Sequence, residues 1–275
     1  MGSKRSHSAA AKGVRSRKNA LVTRVVVIGG GPGGYEAAMV AAQQGAHVVL
    51  VERDGIGGAA VLTDCVPSKT LVATARSASL AAESAQLGVV VEGRAIDPES
   101  ASLDLTFAFD RIRELASAQS RDIAARLAGD GIELRHGTAR ILRPGLVEIR
   151  GEADVDRATV EYDILLLATG ARPRELPDAK PDGRRILNWK QVWNLTELPE
   201  HLVVIGSGVT GAEFAGAFTA LGVDVTLVSS RDRVLPTQDP DAADVVEAVF
   251  TRRGMRVLGP ARAMSAQVTG DEVIV

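Results

Sequence analysis

The chain has 275 residues, room for one large or two ordinary domains, and 45% of them are apolar. A net charge of −2 and an aromatic content of 3% argue against a nucleic-acid surface, and no apolar run reaches the roughly 18 residues of a membrane span. One cysteine excludes an intrachain disulfide within these residues and fits a reducing, cytoplasmic setting.

Residues 1–21 read as a basic disordered tail, with Lys4, Arg5, Lys12, Arg15, Arg17 and Lys18 and no acid. They lack the apolar stretch of a secretory signal. Gly2 and Ser6 fit the short myristoylation pattern, and a translation start near Leu21 or Val22 is a further alternative.

Val25–Ile28 is a β-branched run expected to form a strand. Gly29, Gly31 and Gly34 follow as G-x-G-x-x-G, then an Ala-rich helix ending near Gly45 and a second strand over His47–Val51. In such a turn the first glycine bends the chain and the second lets backbone approach a pyrophosphate. The third lets helix and strand pack closely. The helix N-terminus then offers free N–H groups to the phosphates. Glu52, 18 residues after Gly34, is placed to accept hydrogen bonds from a ribose diol, a solvated strand-end charge being the alternative.

Next comes GIGGAAVLTDCVPSKT, residues 55–70, which holds Cys65 two residues before Pro67, a favoured first-turn helix residue. A thiol at a helix start is acidified as a rule, and Asp64 beside it opposes that. Residues 104–128 read as a long helix with an apolar stripe of Ile112, Leu115, Ala116, Ile123 and Leu127, stopped by Gly129. A β-meander is expected near 132–167, closing on the strand Ile164–Leu167. ARPRELPDAKPDGRR, from Ala171, is rich in Pro and charge and reads as a connection; Trp189 and Trp193 read as packing residues.

The first unit then recurs without a gap at an offset of 177 residues. Gly206, Gly208 and Gly211 repeat Gly29, Gly31 and Gly34 between the strand Leu202–Ile205 and a helix ending near Gly222. Val225–Val228 repeats the second strand, but Ser229, Ser230 and Arg231 stand where the first copy has Glu52 and its successors. A carboxylate there would repel a 2′-phosphate, whereas a guanidinium binds one, so the second copy leans towards NADPH over NADH. The fold class expected is α/β, with two tandem Rossmann-type dinucleotide-binding domains over 22–170 and 171–275. The second is expected to be incomplete, since DEVIV at its end reads as a strand lacking its next partner.

In combination, VIGGGPGGYEAA, GGAAVLTDCVPSK, LLLATGARP and VIGSGVTGAEFA resemble the motifs of the pyridine-nucleotide-disulfide oxidoreductases, the family of lipoamide dehydrogenase and glutathione reductase. The resemblance implies FAD on the first fold and NAD(P)H on the second, with no metal. It implies FAD contacts from Gly58, from Thr138 and Ala139 in HGTA, and from Thr169 and Gly170; an ordinary tight turn is the alternative for HGTA. It places Lys69 near the flavin's reactive nitrogen, pairs Glu213 with it across the domains, and sets Cys65 against the flavin, either tuning it or filling space.

The family pattern G-G-T-C, four residues, C-[IV]-P-S-K is met at Gly57, Gly58 and Cys65 to Lys69, but Ala59 and Ala60 replace its threonine and first cysteine. A relay between two thiols is therefore impossible within these residues. The branch with this segment resembles NAD(P)H–quinone or diaphorase-type reductases. The expected activity is hydride transfer from NAD(P)H to FAD, then electron transfer to a small quinone-like acceptor. A dihydrolipoyl dehydrogenase component and a non-catalytic dinucleotide-binding fragment are the competing readings. Family members continue with a second FAD segment and a dimer-interface domain. The chain is thus expected to be a fragment, a truncated product or a short form active alone, with a homodimer only in the full-length parent.

Overall fold

The computed structural model describes residues 22–95, 103–151 and 157–275, so the basic tail lies outside the described residues. The first unit is β1 (Arg24–Ile28), α1 (Pro32–Gln43) and β2 (His47–Glu52). The cysteine segment forms α2 (Gly58–Leu62) and α3 (Cys65–Glu83); a small hairpin, β3 (Val90–Val91) and β4 (Arg94–Ala95), precedes α4 (Leu105–Gly129). Then come β5 (Glu133–His136), the meander β6 (Thr138–Arg143), β7 (Leu146–Arg150) and β8 (Arg157–Glu161), and β9 (Ile164–Leu167). The second unit is β10 (His201–Ile205), α5 (Val209–Ala220) and β11 (Asp224–Val228), followed by α6 (Pro240–Arg252), β12 (Arg256–Leu258), β13 (Gln267–Thr269) and β14 (Glu272–Ile274).

Two parallel sheets result, in the orders β5-β2-β1-β9 and β10-β11-β12. The central strands are apolar without alternation because both faces are covered, as parallel sheets require. Side chains still alternate between the two covers. Val25, Val27, Val48 and Leu50 meet Ala38 and Met39 of α1 and Leu127 of α4, while Val26, Val49 and Val51 meet Val147 and Ile149 of the meander. β1 has neighbours on both sides, whereas among the described residues β10 pairs only with β11.

α4 starts where Asp104 accepts the Phe107 N–H at 2.9 Å, an N-cap worth about 1 kcal/mol. Its buried residues include Ile112, Ala116 and Leu127, but Leu115 is 42% exposed. The stripe drifts because α4 changes partners along its length. Leu105, Phe109 and Ile112 join a core with α3 and α5, and Leu127 reaches the first sheet. Trp193 lies in the first of these cores, 5.4 Å from the rings of both Phe109 and Phe214. Its indole N–H donates to the Thr63 carbonyl at 2.8 Å, and its own carbonyl accepts from Arg113 at 2.7 Å. The two halves therefore share a core of α3, α4 and α5.

The strand expected within DEVIV forms as β14, but it pairs antiparallel with β13 in a separate hairpin and does not join the parallel sheet. A two-residue turn makes that local partner available before any distant one. Among the described residues no helix is long and apolar enough to cross a membrane, and no cluster of three metal-ligating side chains occurs.

Candidate functional site

Each sheet ends in a glycine turn at the carboxyl ends of its strands, where open α/β sheets bind ligands. Gly29 and Gly206 have φ of +107° and +114°. A methyl group on Gly34 would lie 1.8 Å from the Gly29 carbonyl oxygen, and one on Gly211 would lie 1.9 Å from that of Gly206. First and third glycines are thus required by the chain itself. The middle ones are not: a methyl on Gly208 would meet no protein atom within 4 Å, and one on Gly31 only the Gly58 Cα at 4.0 Å. Gly31 and Gly208 are also the N-caps of α1 and α5, with no side-chain cap and no acid in the first turn. Open space and uncapped N–H groups suit a phosphate at both turns.

The other first-fold candidates gather along the same edge. Gly58 packs on Gly31, since a methyl on it would lie 2.8 Å from the Gly31 Cα, and Gly57 donates its N–H to the Gly30 carbonyl at 2.8 Å. Thr169 and Gly170, both exposed, follow β9, whose extension holds Ala168 against Ile28. Thr138 and Ala139 follow Gly137, whose N–H donates to the Glu52 carbonyl at 2.9 Å.

Glu52 is half-buried and already engaged. Its Oε2 accepts the Gly30 N–H at 2.6 Å and its Oε1 accepts the Arg53 and Asp54 N–H groups at 2.7 Å. Oε2 has one backbone partner, which leaves it capacity for a ribose hydroxyl. Ser229, at the matching position, is fully buried and bonds to Ser207, 2.7 Å away, and to the backbone of its own loop. It supports the loop, while Ser230 and Arg231 are exposed. The Arg231 guanidinium has no partner among the described residues.

Lys69 and Glu213 meet where α3 crosses α5, with Nζ 2.5 Å from Oε1. Ser68, 1% exposed, donates to the other carboxylate oxygen at 2.7 Å. Sequence reasoning missed Ser68, although it lies in the CVPSK motif. The hydrogen bond to Glu213 raises the Lys69 pKa against a smaller opposing effect of burial, so the ammonium stays charged at neutral pH. Lys69 is 59% exposed, so the pair adds no more than about 1 kcal/mol to stability. Asp64 precedes α3 without capping it, and burial, then the charge of Glu213, pushes its carboxyl up. Cys65 opens α3 as an exposed free thiol.

Twin glycine turns, the bridging Lys69–Glu213 pair and the CVPSK helix define a two-nucleotide flavoprotein-type oxidoreductase scaffold. Residues 23–275 match the family of pyridine nucleotide-disulphide oxidoreductases, and the chain belongs to it. It is 48% identical over 263 residues to an NAD(P)H dehydrogenase (quinone) of Mycobacterium tuberculosis, covering 93% of this chain and 52% of that protein. It is 34% identical over 233 residues to a dihydrolipoyl dehydrogenase of Bacillus subtilis, covering 85% and 49%. The solved structure of LpdA from Mycobacterium tuberculosis superposes with a TM-score of 0.82 at 44% identity, over 92% of this chain and 54% of that one. The chain spans about half the length of these relatives.

Proposed function

We propose that the chain is the dinucleotide-binding part of an FAD-dependent NAD(P)H oxidoreductase that passes electrons to a small quinone or diaphorase-type acceptor without a disulfide relay. The carrying observation is an intact Lys69–Glu213 bridge beside a redox segment in which Ala60 has replaced the first cysteine. FAD, when bound, supplies a centre that takes hydride from reduced nicotinamide and releases electrons to an acceptor. Gly29, Gly31, Gly34 and the start of α1 would hold its pyrophosphate, and the free capacity of Glu52 its ribose. Gly206, Gly208, Gly211 and the start of α5 would hold NAD(P)H, with Arg231 favouring the 2′-phosphate. Lys69 keeps a positive charge at the junction of the two sites, where it favours added negative charge. Ser68 and Glu213 hold it there.

For a full-length protein of this kind the proposal includes a homodimer, a cytoplasmic setting, and no nucleic-acid partner or membrane insertion. The NAD(P)H dehydrogenase (quinone) relative and the single cysteine support the acceptor class. The test is NAD(P)H oxidation by the FAD-loaded protein with a benzoquinone or with lipoamide. Quinone turnover without lipoamide turnover is expected. Lipoamide turnover would overturn the acceptor, and a colourless protein that takes up no FAD would favour a non-catalytic remnant. Arg231→Ala is expected to lower kcat/KM for NADPH by about tenfold or more and leave NADH unchanged; equal values before and after would remove the phosphate role.

A further inference from the structure

We infer that Ser207 and Ser229 act as a coupled pair that sets which adenosine ribose the second glycine turn accepts, so that neither can be exchanged alone. This rests on the reading of that turn as a pyridine-nucleotide site. The repeat aligns Ser207 with Gly30 and Ser229 with Glu52. In the first copy a methyl on Gly30 would lie 3.0 Å from both Cβ and Cγ of Glu52 and 2.9 Å from Ile56 Cδ1. A side chain at position 30 would thus crowd Glu52 and make it or Ile56 give way. In the second copy the side chain at 229 is short, and the space is filled from the other side by the Ser207 hydroxyl.

The hydrogen bonds of the second copy follow from counting protons. The Ser229 hydroxyl accepts the Arg231 N–H at 3.2 Å, and the carbonyls of Arg231 and Arg233 lie 3.0 and 3.2 Å from it. It has one proton to donate, and those carbonyls share it. With that proton on a carbonyl, Ser207, 2.7 Å away, is the one of the two hydroxyls left to donate across the pair. Both side chains are buried, Ser229 at 0% and Ser207 at 5% exposure, so a lost partner is not replaced by bulk water. The loop is also fastened by the Ser207 carbonyl, which accepts the Leu235 N–H at 2.8 Å, and by the Ala261 N–H, which donates to the Ser229 carbonyl at 2.8 Å.

The pair thereby holds the Arg231 backbone by its N–H and its carbonyl and leaves the guanidinium exposed. A neutral clasp does here what a carboxylate does at the first turn. The mixed forms should fail for opposite reasons: glutamate at 229 would crowd the Ser207 Cβ as a methyl on Gly30 would crowd Glu52, and glycine at 207 would leave Ser229 without its donor. Ser207 and Ser229 are positioning residues that act through the loop, and their effect is on the choice between ligands.

Calorimetric titration of the 275-residue chain with 2′,5′-ADP and with 5′-AMP tests this without FAD or turnover. Ser229→Glu alone should weaken both probes by about tenfold or more. Ser207→Gly with Ser229→Glu should restore 5′-AMP binding to about the wild-type level while 2′,5′-ADP stays at least about thirtyfold weaker. The inference is overturned if Ser229→Glu alone binds 5′-AMP as well as the double variant, or if the double variant keeps the wild-type ratio. Should the glutamate variants not fold, Ser207→Ala, Ser229→Ala and their combination decide it. The double variant should bind 2′,5′-ADP no more weakly than Ser229→Ala, with 5′-AMP unchanged throughout, and additive losses would overturn the coupling. A wild-type chain that binds neither probe overturns the pyridine-nucleotide reading itself and takes the inference with it, which separates the two failures.

Discussion

The two glycine turns share a sequence pattern and differ in what surrounds them. The first is enclosed: β1 lies between β2 and β9, and a methyl on Gly29 would lie 2.2 Å from the Ala168 carbonyl beyond β9. The second is open on that side, with β10 paired only to β11 among the described residues and nothing within 4 Å of a methyl on Gly206. The strand-end residues differ as well, a carboxylate tied to four backbone N–H groups against a buried hydroxyl clasp. A repeated motif fixes a bend and a helix start. Its neighbours decide what chemical groups face the turn and how firmly it is framed.

The largest expected effects come from the third glycines, where the comparison predicts separable losses. Gly34→Ala and Gly211→Ala each drive a methyl into a carbonyl oxygen and should cost more than about 3 kcal/mol locally. Gly34→Ala should abolish FAD uptake, read as flavin absorbance, while retaining NAD(P)H binding; Gly211→Ala should do the reverse. Loss of both ligands in either variant would mean that the turns are not independent sites.

Trp193 joins the two regions, and Trp193→Ala should cost about 3–5 kcal/mol. Calorimetric melting should show a lower Tm and a broadened or split transition. An unchanged single transition would show that the shared core does not depend on the indole.

Asp64 offers a smaller effect, set by pH. Its carboxyl is raised in the folded state, so its contribution is fully present below the unfolded value of about 3.9 and is lost as pH rises through the folded value. Asp64→Asn should match the wild type below about pH 4 and exceed it at neutral pH by less than about 1 kcal/mol, since the residue is only half-buried. Denaturant melts across pH would expose a reversed sign. The smallest difference is in amide exchange: Leu202–Ile205, on the open edge, should exchange faster than Val25–Ile28. Equal protection would erase the contrast between the framed and the open turn.

Much of the fold was legible because local chemistry dictates it. Val25–Ile28 and His47–Val51 were expected as strands and form within one residue of those bounds, since β-branched runs closed by glycine leave few choices. The helix expected over 104–128 forms over Leu105–Gly129 for a similarly local reason, the Asp104 cap. Leu115 was placed in the apolar stripe and is exposed instead, because periodicity assumes one partner face and α4 has two. The pairing of the last strand escaped it because strand propensity does not name a partner. Within the candidate site, Lys69 and Glu213 were legible from their motifs. Ser68 and Ser207 were not, because a serine looks the same in sequence whether it is solvated or buried against a carboxylate or another hydroxyl.

By itself the sequence determined the two glycine turns, the elements around them, the single cysteine of the CVPSK segment and the serine that stands at the second strand end where the first has a carboxylate. All of these depend on residue type and spacing along a single stretch of chain. Only the tertiary structure decided that Ser68 joins the Lys69–Glu213 pair, that Trp193 fastens the halves together, that Glu52 already serves four backbone donors, and that Ser229 faces inward. Those facts depend on which surfaces lose their water when α3, α4 and α5 pack, and burial of that kind is a property of the whole fold.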